Sequence, residues 1–293
     1  MSDSTSHGRP DVAGFFDPAT NTISYVVADP ASGTAAIIDP VLDFSQRDGR
    51  TSTAGADRLL DAIAGRGLTL AYVLETHAHA DHLTAAHHIH ERTGAPIVIG
   101  RHISDVQRIF APLFAADDVV PDGRAFTRLV DDGDTLPLGA LDIDVLHTPG
   151  HTPACVTYRI GDAAFVGDTL FQPDYGTSRA DFPGGDARML YRSIRKILDL
   201  PGETRLFTCH DYPTGGRSDP VWETTVAEQR RANVHVHDGI GESDFVAMRT
   251  ARDKKLAAPQ LILPSLQINI RAGALPPAET DGRRYLKIPL NTI

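Results

Sequence analysis

Cysteine is scarce: Cys155 and Cys209 are the only two in a chain of 293 residues. That excludes a disulfide framework and fits a reducing compartment. Positive charge is also short, with Lys+Arg 28 against Asp+Glu 38, a net charge of −10, and no long basic run. Nucleic acid and anionic membranes are therefore not expected as partners. Long apolar runs are missing, and stretches such as Leu70–Leu74 are far too short to cross a bilayer. The opening MSDSTSHGRP lacks an apolar signal core, so the expected location is the cytoplasm.

What remains is ordinary globular composition, 41% hydrophobic and 23% charged. The length suffices to bury a large core. We expect a flexible tail over residues 1–10 and a single domain over 11–293. From about residue 254 proline becomes frequent (Pro259, Pro264, Pro276, Pro277, Pro289), which predicts an extended closing segment. A homodimer, the commonest closed assembly, is the expected oligomer.

ISYVVAD and TAAIIDP are β-rich runs around PASG and predict an opening antiparallel hairpin. SQRDGRTSTAG reads as a polar loop. DRLLDAIAGRG has helical spacing at Leu59, Leu60 and Ile63 and stops at Gly65. LAYVLET is a buried strand, HLTAAHHIHERTG a helix beginning near Leu83, and PIVIG another strand. SDVQRIFAPLFAA is a helix with Ser104 as its N-cap. ALDIDVLHT, CVTYRIG, AAFVGDTLF and RLFTCHDY are strand-like. DARMLYRSIRKILDL places Leu190, Ile194, Ile197 and Leu198 at helical spacing, and ETTVAEQRRANVH and SDFVAMRTARDKK are later helices. The pattern predicts an α+β fold, a mixed sheet sandwich covered by helices.

ETHAHADHL sets three histidines and an aspartate within six positions, directly after LAYVL. Residues two apart on an extended chain point the same way, so His77 and His79 can aim at one cavity. Asp81 and His82 follow where the chain turns. Three further strand ends offer metal-capable groups: His147 and His151 in HTPGHTPAC, Asp168 after AAFVG, and His210 and Asp211 in LFTCHDY. Imidazole and carboxylate suit zinc, iron or manganese. A structural zinc site would prefer cysteine closure, so the expected site is open and catalytic.

THAHADH, PGHTP, VGDTLF and CHDY, in this order, resemble the metallo-β-lactamase superfamily over roughly residues 12–250. The resemblance implies an αββα sandwich, four layers with metal at one edge of the two sheets. Its usual hydrolases would place His77, His79 and His151 on one metal and Asp81, His82 and His210 on a second, with Asp168 bridging. Ligand counting thus points to a two-zinc thioester hydrolase of the glyoxalase II type, with a bridging water made acidic by the paired ions.

The stretch LFQPDYGTSRADFPGGDARMLYRSI instead resembles the ETHE-type persulfide dioxygenases, and LILPSLQINIRAGALPP resembles a bacterial branch of that family. This resemblance implies one Fe(II) on His77, His151 and Asp168, a face that leaves three positions open. His79, Asp81, His82 and His210 would then orient those ligands. The implied substrates are glutathione persulfide and O2. Arg179 would pair with a glutathione carboxylate or orient Asp181, and Tyr175 and Tyr212 would hydrogen-bond substrate. A carboxylate-bearing substrate also calls for a local positive patch on this acidic chain. Thr177 and Ala272 stand where animal relatives carry cysteine. His87, His88, His90, His235 and His237 read as packing or solvated residues, and Cys155 and Cys209 as small buried ones.

Overall fold

The computed structural model describes residues 8–214 and 216–292; residues 1–7, most of the expected tail, lie outside the described residues. In chain order the first half runs β1 (Asp11–Asp17), β2 (Thr22–Ala28), β3 (Thr34–Ile38), β4 (Val41–Ser45), β5 (Arg50–Ser52) and α1 (Ala54–Gly65). It continues with β6 (Thr69–Leu74), β7 (Leu83–Thr84), α2 (Ala86–Thr93), β8 (Ile97–Gly100), α3 (Ile103–Leu113) and β9 (Arg128–Val130). The second half begins with β10 (Thr135–Leu138), β11 (Leu141–His147), β12 (Val156–Ile160), β13 (Ala163–Phe165) and α4 (Ala187–Leu198). It ends with β14 (Arg205–Phe207), β15 (Glu223–Thr225), α5 (Val226–Ala232), α6 (Glu242–Asp253) and α7 (Ile262–Asn269).

Two six-stranded sheets result, ordered β1-β2-β3-β6-β8-β9 and β10-β11-β12-β13-β14-β15, beside a small β5-β4-β7 sheet. Strict alternation of side chains makes the layers. In β2, Tyr25 and Val27 face the second sheet and meet Tyr158, Phe165 and Phe207, whereas Val26 faces the helices. In β13, Ala163 and Phe165 point between the sheets and Ala164 points outward. One outer layer packs Leu59, Ile89, Val106, Phe110 and Leu266 from α1, α2, α3 and α7 on the first sheet. The other packs Leu190, Ile194, Val226 and Phe245 from α4, α5 and α6 on the second. The architecture is the αββα sandwich, and burying each such Leu, Ile or Phe contributes roughly 1.5–3 kcal/mol.

The expected β2–β3 hairpin is present, pairing Tyr25 with Ile38 and Ala28 with Ala35. Four expectations need correction. The polar stretch SQRDGRTSTAG contains β5, which pairs with β4 through a turn closed by Gly49 N–H on Ser45 O; all three β5 residues are exposed, so no apolar alternation marked the strand. The helix after the histidines begins at Ala86, because Leu83 and Thr84 pair with Leu42 and Val41 first. Ser104 lies inside α3, its hydroxyl turned back to Arg101 O, and no side chain caps that helix. The closing segment contains α7, with Pro264 through Asn269 all buried. Pro264 stands in the first turn, where its missing N–H has no intrahelical partner to lose.

Candidate metal centre

The centre lies where the strands of both sheets end. The chain leaving β6 carries Glu75, Thr76, His77, His79 and His82, all buried. The β11–β12 turn carries His151, the end of β13 leads to Asp168, and the end of β14 leads to Cys209 and His210. A glycine precedes two of these groups for a steric reason. Gly150 has φ +132 and a Cβ there would stand 2.2 Å from Leu190 N. Gly167 has φ +52 and a Cβ there would stand 2.7 Å from Thr76 Oγ1. Only a residue without a side chain fits either place, which brings the neighbouring His151 and Asp168 inward.

The ligand atoms of His77, His151 and Asp168 all lie within 4.8 Å of one another. Asp168 Oδ2 stands 3.8 Å from His77 Nε2 and 3.6 Å from His151 Nε2. Its other oxygen, Oδ1, faces His210 Nε2 at 3.4 Å. A second group of His79, Asp81, His82 and His210 meets the same 4.8 Å limit. Asp168 therefore stands between the two groups, one oxygen toward each.

Hydrogen bonds behind the rings fix which nitrogen faces the centre. His151 Nδ1 donates to Arg179 O at 2.9 Å, and His210 Nδ1 donates to Asn21 O at 3.3 Å. Each leaves the Nε2 lone pair free. Thr76 Oγ1 donates to Asp39 Oδ2 at 2.8 Å, so it accepts from His77 Nδ1 at 3.0 Å. His79 is turned the other way, with Nε2 3.1 Å from Asp39 Oδ1 and 3.5 Å from Glu75 Oε2. Its Nδ1 is the atom that faces inward. His77 Nε2, His79 Nδ1, His82 Nε2, His210 Nε2 and Asp168 Oδ1 are buried with no hydrogen-bond partner. Such orphaned atoms are costly unless a cation satisfies them, and five imidazoles with two carboxylates form a donor set for a divalent transition metal. The residues present fit a metal ion.

Electrostatics agree with that orientation. Burial pushes the His77 imidazole well below its ordinary range, aided by the surrounding histidines, and His82 moves the same way. Burial also works against His79 carrying charge, but Asp39 and Glu75 outweigh it and hold this ring well above its usual value. Burial pushes the Cys155 thiol up to about 12 and Cys209 well above its ordinary range, so both stay protonated and inert.

A cleft of about 380 Å³ opens over Asp81, His151 and Asp168. Tyr175 and Tyr212 stand in its wall with ring centroids 4.9 Å apart, and Tyr212 stacks on His210 at 5.8 Å. Arg179 also lines it, yet its Nε and Nη2 already donate to Asp181 at 2.6 and 2.9 Å, and Nη1 to Ala257 O at 2.7 Å. Of the two roles expected for Arg179, the structure shows the one that engages Asp181.

Two of the strand-end candidates turn elsewhere. His147 Nε2 donates to Pro153 O and its ring stacks on His102 at 4.6 Å. Asp211 accepts from Arg217 and from Val221 N–H. His87 and His88 pair with Glu91 and Asp57, His90 Nδ1 donates to Ala95 O and His237 Nδ1 to Asp238 O, while His235 is buried beside Thr177. Sequence reasoning missed Asp39, Glu75 and Asn269. Both carboxylates end apolar strands, the same signal that marked Asp168. Asn269 in α7 donates from Nδ2 to His79 O and His82 O at 2.8 Å each and accepts from Thr84 N at 2.9 Å.

The metallo-beta-lactamase superfamily model matches residues 18–210. A relative from Burkholderia pseudomallei, named a probable metallo-hydrolase, is 57% identical over 96% of this chain and 99% of its own length. A Xylella fastidiosa relative named beta-lactamase hydrolase-like protein is 52% identical, and this chain covers 65% of its length. Glyoxylase B2 of Dictyostelium discoideum is 46% identical over 91% of this chain and 92% of its own. Human persulfide dioxygenase ETHE1 is 32% identical over 89% of this chain and 88% of its own. The crystal structure of ETHE1 from Myxococcus xanthus superposes with a TM-score of 0.72 at 32% identity, covering 90% of this chain and all of that one. With the sandwich and the strand-end histidines, these findings place the chain in the metallo-β-lactamase superfamily.

Proposed function

We propose that the chain is a persulfide dioxygenase that converts glutathione persulfide, O2 and water to glutathione, sulfite and two protons. The observation that carries this reading is the trio His77, His151 and Asp168, whose ligand atoms group without His79. Two imidazoles and one carboxylate form the face used by non-haem Fe(II) oxygenases. The likeness to human persulfide dioxygenase and to the Myxococcus ETHE1 structure supports it. His77, His151 and Asp168 would hold Fe(II), which would supply redox chemistry toward O2.

The chain's own residues do the rest. The Arg179 carbonyl and the Thr76–Asp39 relay hold His151 and His77 with their Nε2 lone pairs inward. Burial raises the pKa of both Tyr175 and Tyr212, so each phenol keeps its proton and can donate a hydrogen bond to substrate in the cleft. Asp81, drawn far below the usual carboxylate range by His210 and His82 in spite of its burial, keeps its charge opposite them.

A dinuclear thioester hydrolase is the second reading, because His79, Asp81, His82 and His210 also converge and relatives of higher identity carry hydrolase names. Metal analysis of protein purified without oxygen separates the two. One iron per chain, kept in Asp81→Ala and lost in Asp168→Ala, supports the dioxygenase; two zincs, lost equally in both variants, support the hydrolase.

A further inference from the structure

Three guanidiniums, Arg179, Arg249 and Arg252, line the cleft over the metal centre of a chain whose net charge is −10. They are not equivalent. Arg179 spends its fork on Asp181 and the Ala257 carbonyl. Arg249 is buried; its Nε and Nη2 grip Asp253 at 2.8 and 2.6 Å and its Nη1 donates to Thr177 O at 3.2 Å. Arg252 is exposed, and its guanidinium makes no hydrogen bond or ion pair with any described residue.

We infer that Arg252 captures a carboxylate of the substrate thiol, an assignment that rests on the reading of glutathione persulfide as substrate. An exposed arginine is ordinarily just solvated, so its setting must carry the case. Arg252 follows Arg249 by three positions in the last turn of α6 and so lies on the same side of that helix. That turn is immobilised: Asp253, held by Arg249, also accepts from Ala180 N–H at 2.9 Å, and Arg249 reaches Thr177 O. The 177–181 loop is the one whose Arg179 carbonyl holds His151. Arg252 is therefore fixed at its root to the loop that supports a metal ligand, while its guanidinium stays unpaired at the cleft. Its field is felt inside: it partly opposes the burial that raises the Tyr175 phenol and adds to the burial that lowers His235.

Asp81, the carboxylate of the same cleft outside the proposed metal trio, and the net charge of −10 would repel a dicarboxylate such as glutathione. With Arg179 and Arg249 already neutralised by Asp181 and Asp253, Arg252 is the lining arginine that can offset that repulsion and take a carboxylate through both of its parallel N–H groups. The positive patch expected from the sequence thus reduces, functionally, to one residue.

Calorimetric titration of glutathione, the product thiol, into wild type, Arg252→Gln and Arg252→Lys tests this without requiring turnover. Arg252→Gln should bind glutathione about tenfold more weakly, and Arg252→Lys should recover part of the loss. The diethyl ester of glutathione should bind wild type as weakly as glutathione binds Arg252→Gln, with no further loss when ester and variant are combined. Unchanged affinity in Arg252→Gln, additive losses with the ester, or no glutathione binding to wild type would each overturn the assignment. Arg252-dependent binding in a protein that takes up no O2 would uphold it while overturning the dioxygenase reading, so the two fail separately.

Discussion

The Nδ1–H of His151 donates to the carbonyl oxygen of Arg179 at 2.9 Å, so Arg179 serves the metal centre through its backbone. Its guanidinium is committed to Asp181 and Ala257. Arg179→Lys should therefore keep full metal content and lower kcat/KM by no more than about fivefold, the scale of one partly exposed ion pair. Metal analysis and steady-state rates on one preparation check this. A hundredfold fall would restore the side chain to substrate binding.

Asp39 orients two rings at once, His79 directly and His77 through Thr76. Asp39→Asn should weaken metal affinity roughly ten- to hundredfold, the usual effect of removing a carboxylate behind a ligating histidine. Competition against a chromophoric chelator measures it. Wild-type affinity would mean that the rings are held by packing alone.

Asn269 joins α7 to the histidine loop, reaching a carbonyl 190 residues earlier in the chain. Asn269→Ala leaves buried groups of His79, His82 and Thr84 without partners. The expected loss of stability is roughly 2–4 kcal/mol by urea denaturation. A loss under about 0.5 kcal/mol, the level of a surface change, would contradict that role.

His235 gives a pH signature away from the metal. Its Nδ1 accepts from Thr177 N at 3.1 Å, which only the neutral ring can do. Burial, with Arg252 and Arg249 nearby, brings its pKa from 6.5 to about 4. Because the folded value is the lower one, the unfolded chain takes up the proton first. The stabilisation is complete above pH 6.5 and drains away as pH falls toward about 4. His235→Gln should be less stable at neutral pH but lose less between those limits. Parallel pH slopes for Tm in the two proteins would show that His235 does not titrate as described.

How legible was all this in the sequence? The layers followed from alternation: TISYVVA and TAAII read as strands because their side chains meet apolar neighbours on both faces. The histidine run was legible because four metal-capable groups within six residues after a buried strand have few other uses. Asp39 was not, since nothing near it in sequence names its partner; the contact with His79 spans 40 residues. α7 was hidden by Pro264 inside it and Pro259 just before it, and β5 by its fully exposed polar residues. The commitment of Arg179 to Asp181, two residues away, could have been suspected from SRADF, but the role of Ala257 could not.

The most direct test of the proposed chemistry follows O2 and sulfite together when glutathione persulfide is added to iron-loaded protein. The account predicts one O2 consumed for each sulfite released, no uptake with glutathione alone, and no hydrolysis of S-lactoylglutathione at a comparable rate. Rapid thioester hydrolysis without O2 uptake would contradict it and identify the paired groups around Asp168 as a hydrolytic centre.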